Sequence, residues 1–256
     1  MRHEKLFTLL SCLALLVHVS MASAKDQKAA EALIQKSIKA RGMMLEKPVT
    51  AQSWKLTGKF HLGGQAMPFK GEAMYQVPNQ FRMNIEMDFG GQQMKMQIGV
   101  NGDSAFQAAN DQVEDVQDKK KEYMMHQAYM FEVMSMYPLL SDKSFALDVG
   151  PDDKVNNQTV KTVVVKKKGH PDITLGFDEQ SGLMVKLTTT VLDEFKGWAE
   201  TKEDIYFENY RSVDGLQWFG KIRIMRDGEM MIEEELTDQK IHKSIDAKQF
   251  AKPEGK

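Results

Sequence analysis

The sequence predicts a mainly β (α+β) domain, built as an antiparallel meander of about ten or eleven strands. Apolar and polar residues alternate with a period of two over most of the chain after residue 50. Turn signals such as Pro78-Asn79 and Asn101-Gly102 separate these runs, and one segment that is apolar all round a helix interrupts them. Strands joined by short turns pair antiparallel, so one sheet accounts for most of the chain.

The first 24 residues have the composition of a bacterial-type secretory signal. Arg2, His3 and Lys5 give a basic start, Leu6 to Val19 is mostly apolar, and Ala22-Ser23-Ala24 supplies the small residues of a cleavage site. The apolar run is shorter than the roughly 20 residues that span a bilayer. We therefore expect cleavage after Ala24 and release into the periplasm.

A second interpretation of this segment comes from Leu9-Leu10-Ser11-Cys12, which resembles a lipoprotein cleavage box. Cys12 would then become a lipid-anchored first residue. Cleavage there would leave only Leu6 to Ser11 as the apolar core and would keep Leu13 to Val19 on the mature protein. Removal of residues 1–24 is favoured, and residues 25–256, in which no linker is evident, are expected to form one domain.

The composition of this mature chain excludes several classes of function. Removing Arg2, Lys5 and Glu4 from totals of 34 basic and 36 acidic residues leaves 32 and 35, a net charge of −3. This balance does not indicate a nucleic-acid partner. Cys12 is the only cysteine and leaves with the signal, so no disulfide, thiolate nucleophile or cysteine metal site is expected.

A helix is predicted at the start of the mature chain. Lys25 to Arg41 has apolar residues at helical spacing, and Gly42 is a natural stop. These residues are Ala29, Ala32, Leu33, Ile34 and Ile38.

Five strands are predicted next, each with alternate residues on one face. The shared face carries Trp54, Leu56, Phe60 and Leu62, then Met67, Phe69, Ala73, Tyr75 and Val77, then Phe81, Met83, Ile85, Met87 and Phe89, then Met94, Met96, Ile98 and Val100, and the fifth strand begins at Ser104. In the third strand these residues alternate with Arg82, Asn84, Glu86 and Asp88, which requires one dry face and one wet face.

The segment from Tyr123 to Leu140 breaks this pattern. Its apolar residues surround nearly the whole helical wheel, and a helix of this kind needs burial on several sides. Pro138 is expected to end the helix. Two interpretations stay open: a buried core helix, or a plug or lid inside a curled sheet.

Alternating runs resume after this helix. They are Phe145–Val149, Val160–Val165, Ile173–Phe177, Leu183–Leu187, Ile205–Phe207 and Leu216–Ile224, with a last hairpin at Asp227-Gly228. The run Glu233-Glu234-Glu235 falls on a strand, where side chains alternate between faces, and is expected to be a solvated edge.

The sequence does not indicate a catalytic residue, a metal site or a cofactor. His61, His126, His170 and His242 are scattered, and neither an HExxH helix nor a Gly-x-Ser-x-Gly elbow is present. What stands out instead is methionine, with 19 in the chain. Flexible methionines fill gaps in a core, and they also form apolar surfaces that adapt to varied ligands such as acyl chains.

Several motifs resemble one known superfamily. They are Gly71–Phe81 (GEAMYQVPNQF), Val100–Phe106 (VNGDSAF), Phe177–Leu183 (FDEQSGL), Tyr210–Leu216 (YRSVDGL) and Ile245–Phe250 with Pro253. In order and spacing they resemble the LolA/LolB-like superfamily of periplasmic lipoprotein carriers and outer membrane lipoprotein-sorting proteins. The resemblance spans most of residues 28–253.

The resemblance implies a single curled antiparallel sheet that forms a half-open barrel, with helices covering or plugging its mouth. It also implies a cavity that holds lipid or the acyl chains of a lipoprotein. The carriers fasten their lid with an arginine immediately before the Pro-Asn pair, and here that position is Val77. The latch of the carriers is therefore not expected in this chain.

We expect a non-enzymatic periplasmic binding or carrier protein, a monomer, whose partner is a lipid or an acylated lipoprotein. The alternative is an envelope sensor or scaffold that binds lipid or an envelope protein on the same concave face. The residues expected to line the cavity are Trp54, Leu56, Phe60, Met67, Phe69, Phe81, Met83, Ile85, Met87, Met96, Ile98, Met130 and Met134.

Overall fold

The structure is a computed structural model of the chain and describes residues 26–89, 91–110 and 112–254. The predicted signal, residues 1–24, and Cys12 within it lie outside the described residues. The described residues are mainly β, as predicted, and form one large antiparallel sheet that does not close, together with α-helices.

The helices are α1 (residues 26–40), α2 (Asp118–Ser135) and α3 (Tyr137–Ser141). The first six strands are β1 (Ala51–Leu62), β2 (Gln65–Gln76), β3 (Gln80–Phe89), β4 (Gln92–Asn101), β5 (Ser104–Ala109) and β6 (Gln112–Asp115). The next six are β7 (Phe145–Val149), β8 (Asp153–Val155), β9 (Gln158–Lys167), β10 (Ile173–Asp178), β11 (Met184–Asp193) and β12 (Ala199–Glu208). The last four are β13 (Arg211–Val213), β14 (Leu216–Trp218), β15 (Lys221–Arg226) and β16 (Glu229–His242).

The sheet consists of two meanders joined by the C-terminal hairpin. Its order is β6-β5-β4-β3-β2-β1-β16-β15-β12-β11-β10-β9-β7, with β8 paired to β9. Strand β16 pairs with β1 along most of its length, from Ala51 opposite His242 to Phe60 opposite Ile232. This long-range pairing makes a single curled surface out of two local ones.

More strands are present than the ten or eleven expected, because strands of three or four residues carry too little alternation to be recognised. These are β6, β8, β13 and β14. The run Leu216–Ile224 is also not one strand. It breaks at Phe219-Gly220 into β14, which pairs only with β13, and β15, which belongs to the main sheet.

Helix α1 is present as predicted, and some but not all of the apolar residues that predicted it are buried. Ile34 and Ile38 are buried, whereas Ala29 and Ala32 are exposed and Leu33 is half-buried. The helix lies beside edge strand β7, where the Gln27 side chain accepts a hydrogen bond from the Leu147 N–H at 2.8 Å. A polar side chain thereby satisfies one of the unpaired groups of that edge.

Helix α2 lies inside the curl of the sheet. It contacts β11 on one side and β3, β4 and β5 on the other, and no residue from Tyr123 to Leu140 is exposed. Burial on all sides is therefore as predicted. Pro138 does not end the helix as predicted. The helix ends earlier, at Ser135, because Met136 adopts φ 66°, and Pro138 lies in the first turn of α3. Proline is tolerated there because that N–H needs no helical partner.

One hydrophobic cluster runs through both meanders and α2. Among the described residues, none of the helices has the length and apolar content that a membrane crossing requires.

Candidate functional site

A cavity of about 310 Å³ lies between α2 and the inner face of the sheet. Strands β1–β4 form one wall, strands β12, β15 and β16 form the opposite wall, and α2 closes the space between them. The α2 side chains in this wall are Lys120, Tyr123, Met124, Gln127, Met130, Phe131 and Met134. Their spacing gives one stripe along the helix, so α2 presents a continuous face to the cavity.

Most of the residues expected to line a cavity do line this one. They are Trp54, Phe60, Phe69, Phe81, Met83, Ile85, Met96, Ile98, Met130 and Met134. Leu56, Met67 and Met87 do not. Leu56 is only 1% exposed within the packed core, Met87 is also buried, and Met67 is half-buried opposite Phe60 near the β1–β2 turn. Alternation identifies the face of a strand but not which part of that face stays open.

The ring of Phe131 anchors α2 to the first meander. It stacks on Tyr75 and on Phe81, each with ring centroids 4.9 Å apart, and lies 5.9 Å from Trp54. Offset aromatic pairs at these distances stabilise a contact beyond the area they bury. The sequence predicted all three sheet residues on the inner face, but not the helix residue that they surround.

A buried group of charges holds the N-terminal end of α2. Arg226 on β15 donates through Nε to Glu203 on β12 at 2.8 Å, and through Nη2 to the Tyr123 hydroxyl at 3.0 Å. Its Nη1 lies 3.3 Å from a carboxylate oxygen of Asp193. Burial, partly opposed by the charge of Arg226, raises the pKa of Glu203. This cluster was not predicted, although Glu203 has the parity of inward-facing Ile205 and Phe207.

Glu234 also faces the cavity, which corrects the prediction of a solvated edge. Strand β16 is central in the sheet, and Glu234 shares the inner face with Ile232 and Leu236. Opposite it, Gly58 has no side chain, and the Phe69 ring and the Glu234 side chain lie 2.7 and 2.9 Å from the position that a Cβ would take. Burial alone raises the pKa of Glu234 to about 7.

The histidines do not form a site among the described residues. His126 is buried on the side of α2 away from the cavity, where its Nε2 lies 3.2 Å from the Thr189 hydroxyl. Burial lowers its pKa to about 4, so the ring is neutral at pH 7. Within residues 26–254, as far as they are described, His, Cys, Asp and Glu side chains do not gather into a group that could hold a metal ion.

Comparison of the structure with solved structures identifies the fold. A LolA superfamily protein from Nitrosomonas europaea is similar with a TM-score of 0.58 at 8% identity, over 87% of this chain and 97% of that one. A domain from Vibrio parahaemolyticus described as an outer membrane lipoprotein-sorting protein is similar with a TM-score of 0.57 at 10% identity, over 88% and 97%. A DUF1329 family protein from Desulfovibrio piger is similar with a TM-score of 0.58 at 10% identity, again over 88% and 97%.

The chain has the LolA-like fold. No protein-family model and no curated protein matches the sequence, so the likeness lies in the structure. At these identities it concerns the fold and not a shared set of site residues.

Within this LolA-like fold, the residues that hold α2 differ from the arginine that fastens the lid of the carriers. Val77, where the resemblance places the lid arginine of the carriers, is half-buried against the core, and its N–H donates to the Thr50 carbonyl at 2.9 Å. The contacts that fasten α2 include the Phe131 stack at its middle, the Arg226 hydrogen bond to Tyr123 at its start and the ion pair of Glu132 with Lys167 on β9 at 3.0 Å.

Proposed function

We propose that the protein is a non-enzymatic binding protein of the periplasm, whose cavity holds lipid or the acyl chains of a lipoprotein. The observation that carries the proposal is the apolar cavity enclosed between α2 and the inner face of the sheet. Its volume lies at the lower end of the range for small-molecule sites. A role in sorting lipoproteins to the outer membrane is the most specific form of this proposal, supported by the fold shared with the Vibrio parahaemolyticus domain.

Methionine side chains support a cavity that adapts to its contents. Met83 and Met96 line the sheet side, and Met124, Met130 and Met134 line the helix side. Unbranched thioether chains change rotamer at low cost, so a cavity with methionines on two walls can widen around an acyl chain. Chains of different length and saturation would then fit the same site.

Helix α2 forms the wall between the two halves of the sheet, so its movement would widen the path by which a ligand enters. In this proposal α2 is a lid whose closed position is the one described here. Opening would break the contacts of α2 with the sheet but leave the pairing of the strands intact, which keeps its cost below the cost of unfolding the sheet.

Native mass spectrometry of the monomeric protein purified from its own periplasm tests this function. A co-purified acyl lipid or acylated peptide is the expected result. A polypeptide partner without lipid would favour the sensor alternative, and protein free of both that also fails to bind acyl chains added later would contradict the proposal. The intact mass also tests localisation, because a mature chain beginning at Lys25 indicates a free periplasmic protein and a diacylated Cys12 an anchored one.

A further inference from the structure

Arg41 is a buried cation at the cavity wall. It follows the last residue of α1, is 3% exposed and lines the cavity. Its side chain makes one long hydrogen bond, from Nε to the Gln217 carbonyl at 3.4 Å, and its guanidinium carbon lies 4.3 Å from the ring centroid of Trp218. Among the described residues, the arginines in ion pairs are Arg223 and Arg226, and Arg41 has no carboxylate partner.

A buried guanidinium without a counter-ion is costly, since burial removes water from a charge that arginine does not give up. Burial lowers the pKa of Arg41, although the group stays charged at neutral pH. The carbonyl end of α1 and the ring of Trp218 offset part of the cost. Neither supplies the negative charge that a buried arginine normally contacts.

Glu234, the unpaired acid of the same cavity, is not this counter-ion. Its charge is not among the influences on the pKa of Arg41, and burial alone raises its own pKa. Among the described residues no carboxylate lies within ion-pair distance of Arg41, so a ligand is the remaining source of the complementary anion.

Further hydrogen-bond donors accompany Arg41. The side chains of Trp54 and Trp218 line the cavity, and their indole N–H groups are buried and have no acceptor among the described residues. Tyr75 packs against Trp54 with ring centroids 6.1 Å apart and is close enough for the charge of Arg41 to act on its hydroxyl. Burial raises the pKa of Tyr75, which keeps that hydroxyl protonated and able to donate.

We propose that Arg41, with the N–H groups of Trp54 and Trp218, binds the anionic head group of an amphiphile whose hydrocarbon chain occupies the apolar cavity. The inference rests on the proposed function, because it assigns the polar end of the same ligand. Carboxylate and phosphate share the required chemistry, a compact anion with several acceptor oxygens. A head group is favoured over a free anion because Arg41 lines an apolar cavity, and an inorganic ion bound to Arg41 would leave that cavity empty.

Displacement of the neutral probe N-phenyl-1-naphthylamine tests the site with three ligands of one chain length: dodecanoate, dodecyl phosphate and dodecanol. At pH 8 the wild type should bind at least one of the two anions about tenfold more tightly than the alcohol. Arg41→Met should abolish this preference while changing the affinity for dodecanol less than about threefold. Arg41→Lys, which keeps the charge, should retain part of the preference for the anions over dodecanol.

Trp218→Phe provides a second variant that keeps the ring beneath Arg41 and removes one donor. It should weaken binding of the anions severalfold more than binding of dodecanol, and thermal denaturation of each variant verifies that it folds. If Arg41→Met does not fold, the Arg41→Lys and Trp218→Phe results decide. Inorganic phosphate alone should not displace the probe. Displacement by phosphate would show that the site binds a free anion and would overturn the head-group assignment.

The outcomes separate this inference from the function on which it rests. Equal anion-to-alcohol ratios in the wild type and in the folded variants would overturn the head-group site while leaving acyl binding in place. If neither the probe nor any of the three amphiphiles binds, the proposed function fails and the head-group site fails with it.

Discussion

The ring of Phe131 on α2 stacks on the ring of Tyr75 on β2, with centroids 4.9 Å apart and planes 16° from parallel. This contact joins the one helix inside the curl to the first meander. Most side chains around the cavity belong to the sheet and would keep their neighbours if α2 moved. The Phe131 ring belongs to α2 and would lose its neighbours on the sheet, so its contacts report directly on the closed position.

Phe131→Ala should loosen α2 and leave the sheet intact. We expect the free energy of unfolding to fall by about 3 kcal/mol, at the lower end for a lost aromatic ring because Phe131 borders a cavity. Hydrogen exchange should become faster across residues 118–135 and change little in β9–β11. Leu62→Ala is the control, since Leu62 is 39% exposed at the end of β1 and does not line the cavity, so its loss should leave both stability and exchange unchanged. Equal acceleration throughout the sheet would show that Phe131 is an ordinary core residue.

Tyr123→Phe should weaken the attachment at the start of α2. The variant removes the hydroxyl that accepts from Arg226 but leaves the ion pairs of Arg226 with Glu203 and Asp193, so a loss of about 1 kcal/mol is expected. Acyl probes should associate faster if opening limits entry, which stopped-flow fluorescence measures. Tyr206→Phe removes the same group from another half-buried tyrosine and serves as the control. Unchanged association in Tyr123→Phe would contradict a latch at this position.

Glu234 should make stability depend on pH. Burial raises its pKa from 4.5 to about 7, so the folded protein holds this proton where the unfolded chain releases it. Below pH 4.5 both states are protonated, and the site has no effect. Between pH 4.5 and 7 the free energy of unfolding falls as pH rises, by roughly 3 kcal/mol at most, and above pH 7 the loss is complete.

Glu234→Gln removes this dependence and should be more stable than the wild type at pH 8 but not at pH 4. Urea denaturation at a series of pH values measures the difference. Glu235→Gln, an exposed neighbour on the same strand, should follow the wild type. Parallel curves for Glu234→Gln and the wild type would mean that Glu234 ionises in the folded protein as it does in water.

Met130→Asp should shift α2 toward the open position. Met130 is buried against the cavity, and a carboxylate there costs several kcal/mol in the closed form but less where the opened site admits water. Exchange across residues 119–140 should become faster and the affinity for a fluorescent fatty acid should change, whereas Met44→Asp at an exposed methionine should do neither. Global unfolding, or exchange that a saturating probe does not alter, would indicate a helix that is simply core.

Local patterns predicted much of this molecule. The alternation of Phe81, Met83 and Ile85 identified the inner face of β3, and Asp214-Gly215 and Asp227-Gly228 both form turns with positive φ at each residue. These features depend on residues two to four positions apart, which a sequence displays directly.

The rest depends on contacts between distant residues. The pairing of β1 with β16 moves Glu234 from a supposed edge to the centre of the sheet, and no local pattern records it. Arg41 was predicted only as the end of a helix, and its place in the cavity follows from how α1 meets β14. Alternation of apolar residues alone does not reveal polar residues of inward parity, such as Glu203.

The position of β16 between the two meanders also fixes the order of assembly. As the chain emerges, β1–β6 can pair with each other at once, but the free edge of β1 must wait until residues 229–242 arrive. That edge is long and lies beside apolar residues, so during the wait it is open to pairing with other chains. Closure over so great a sequence distance is slow. We therefore expect β1 to need shielding until its last partner strand is made, and truncation before β16 to yield aggregates rather than a smaller folded domain.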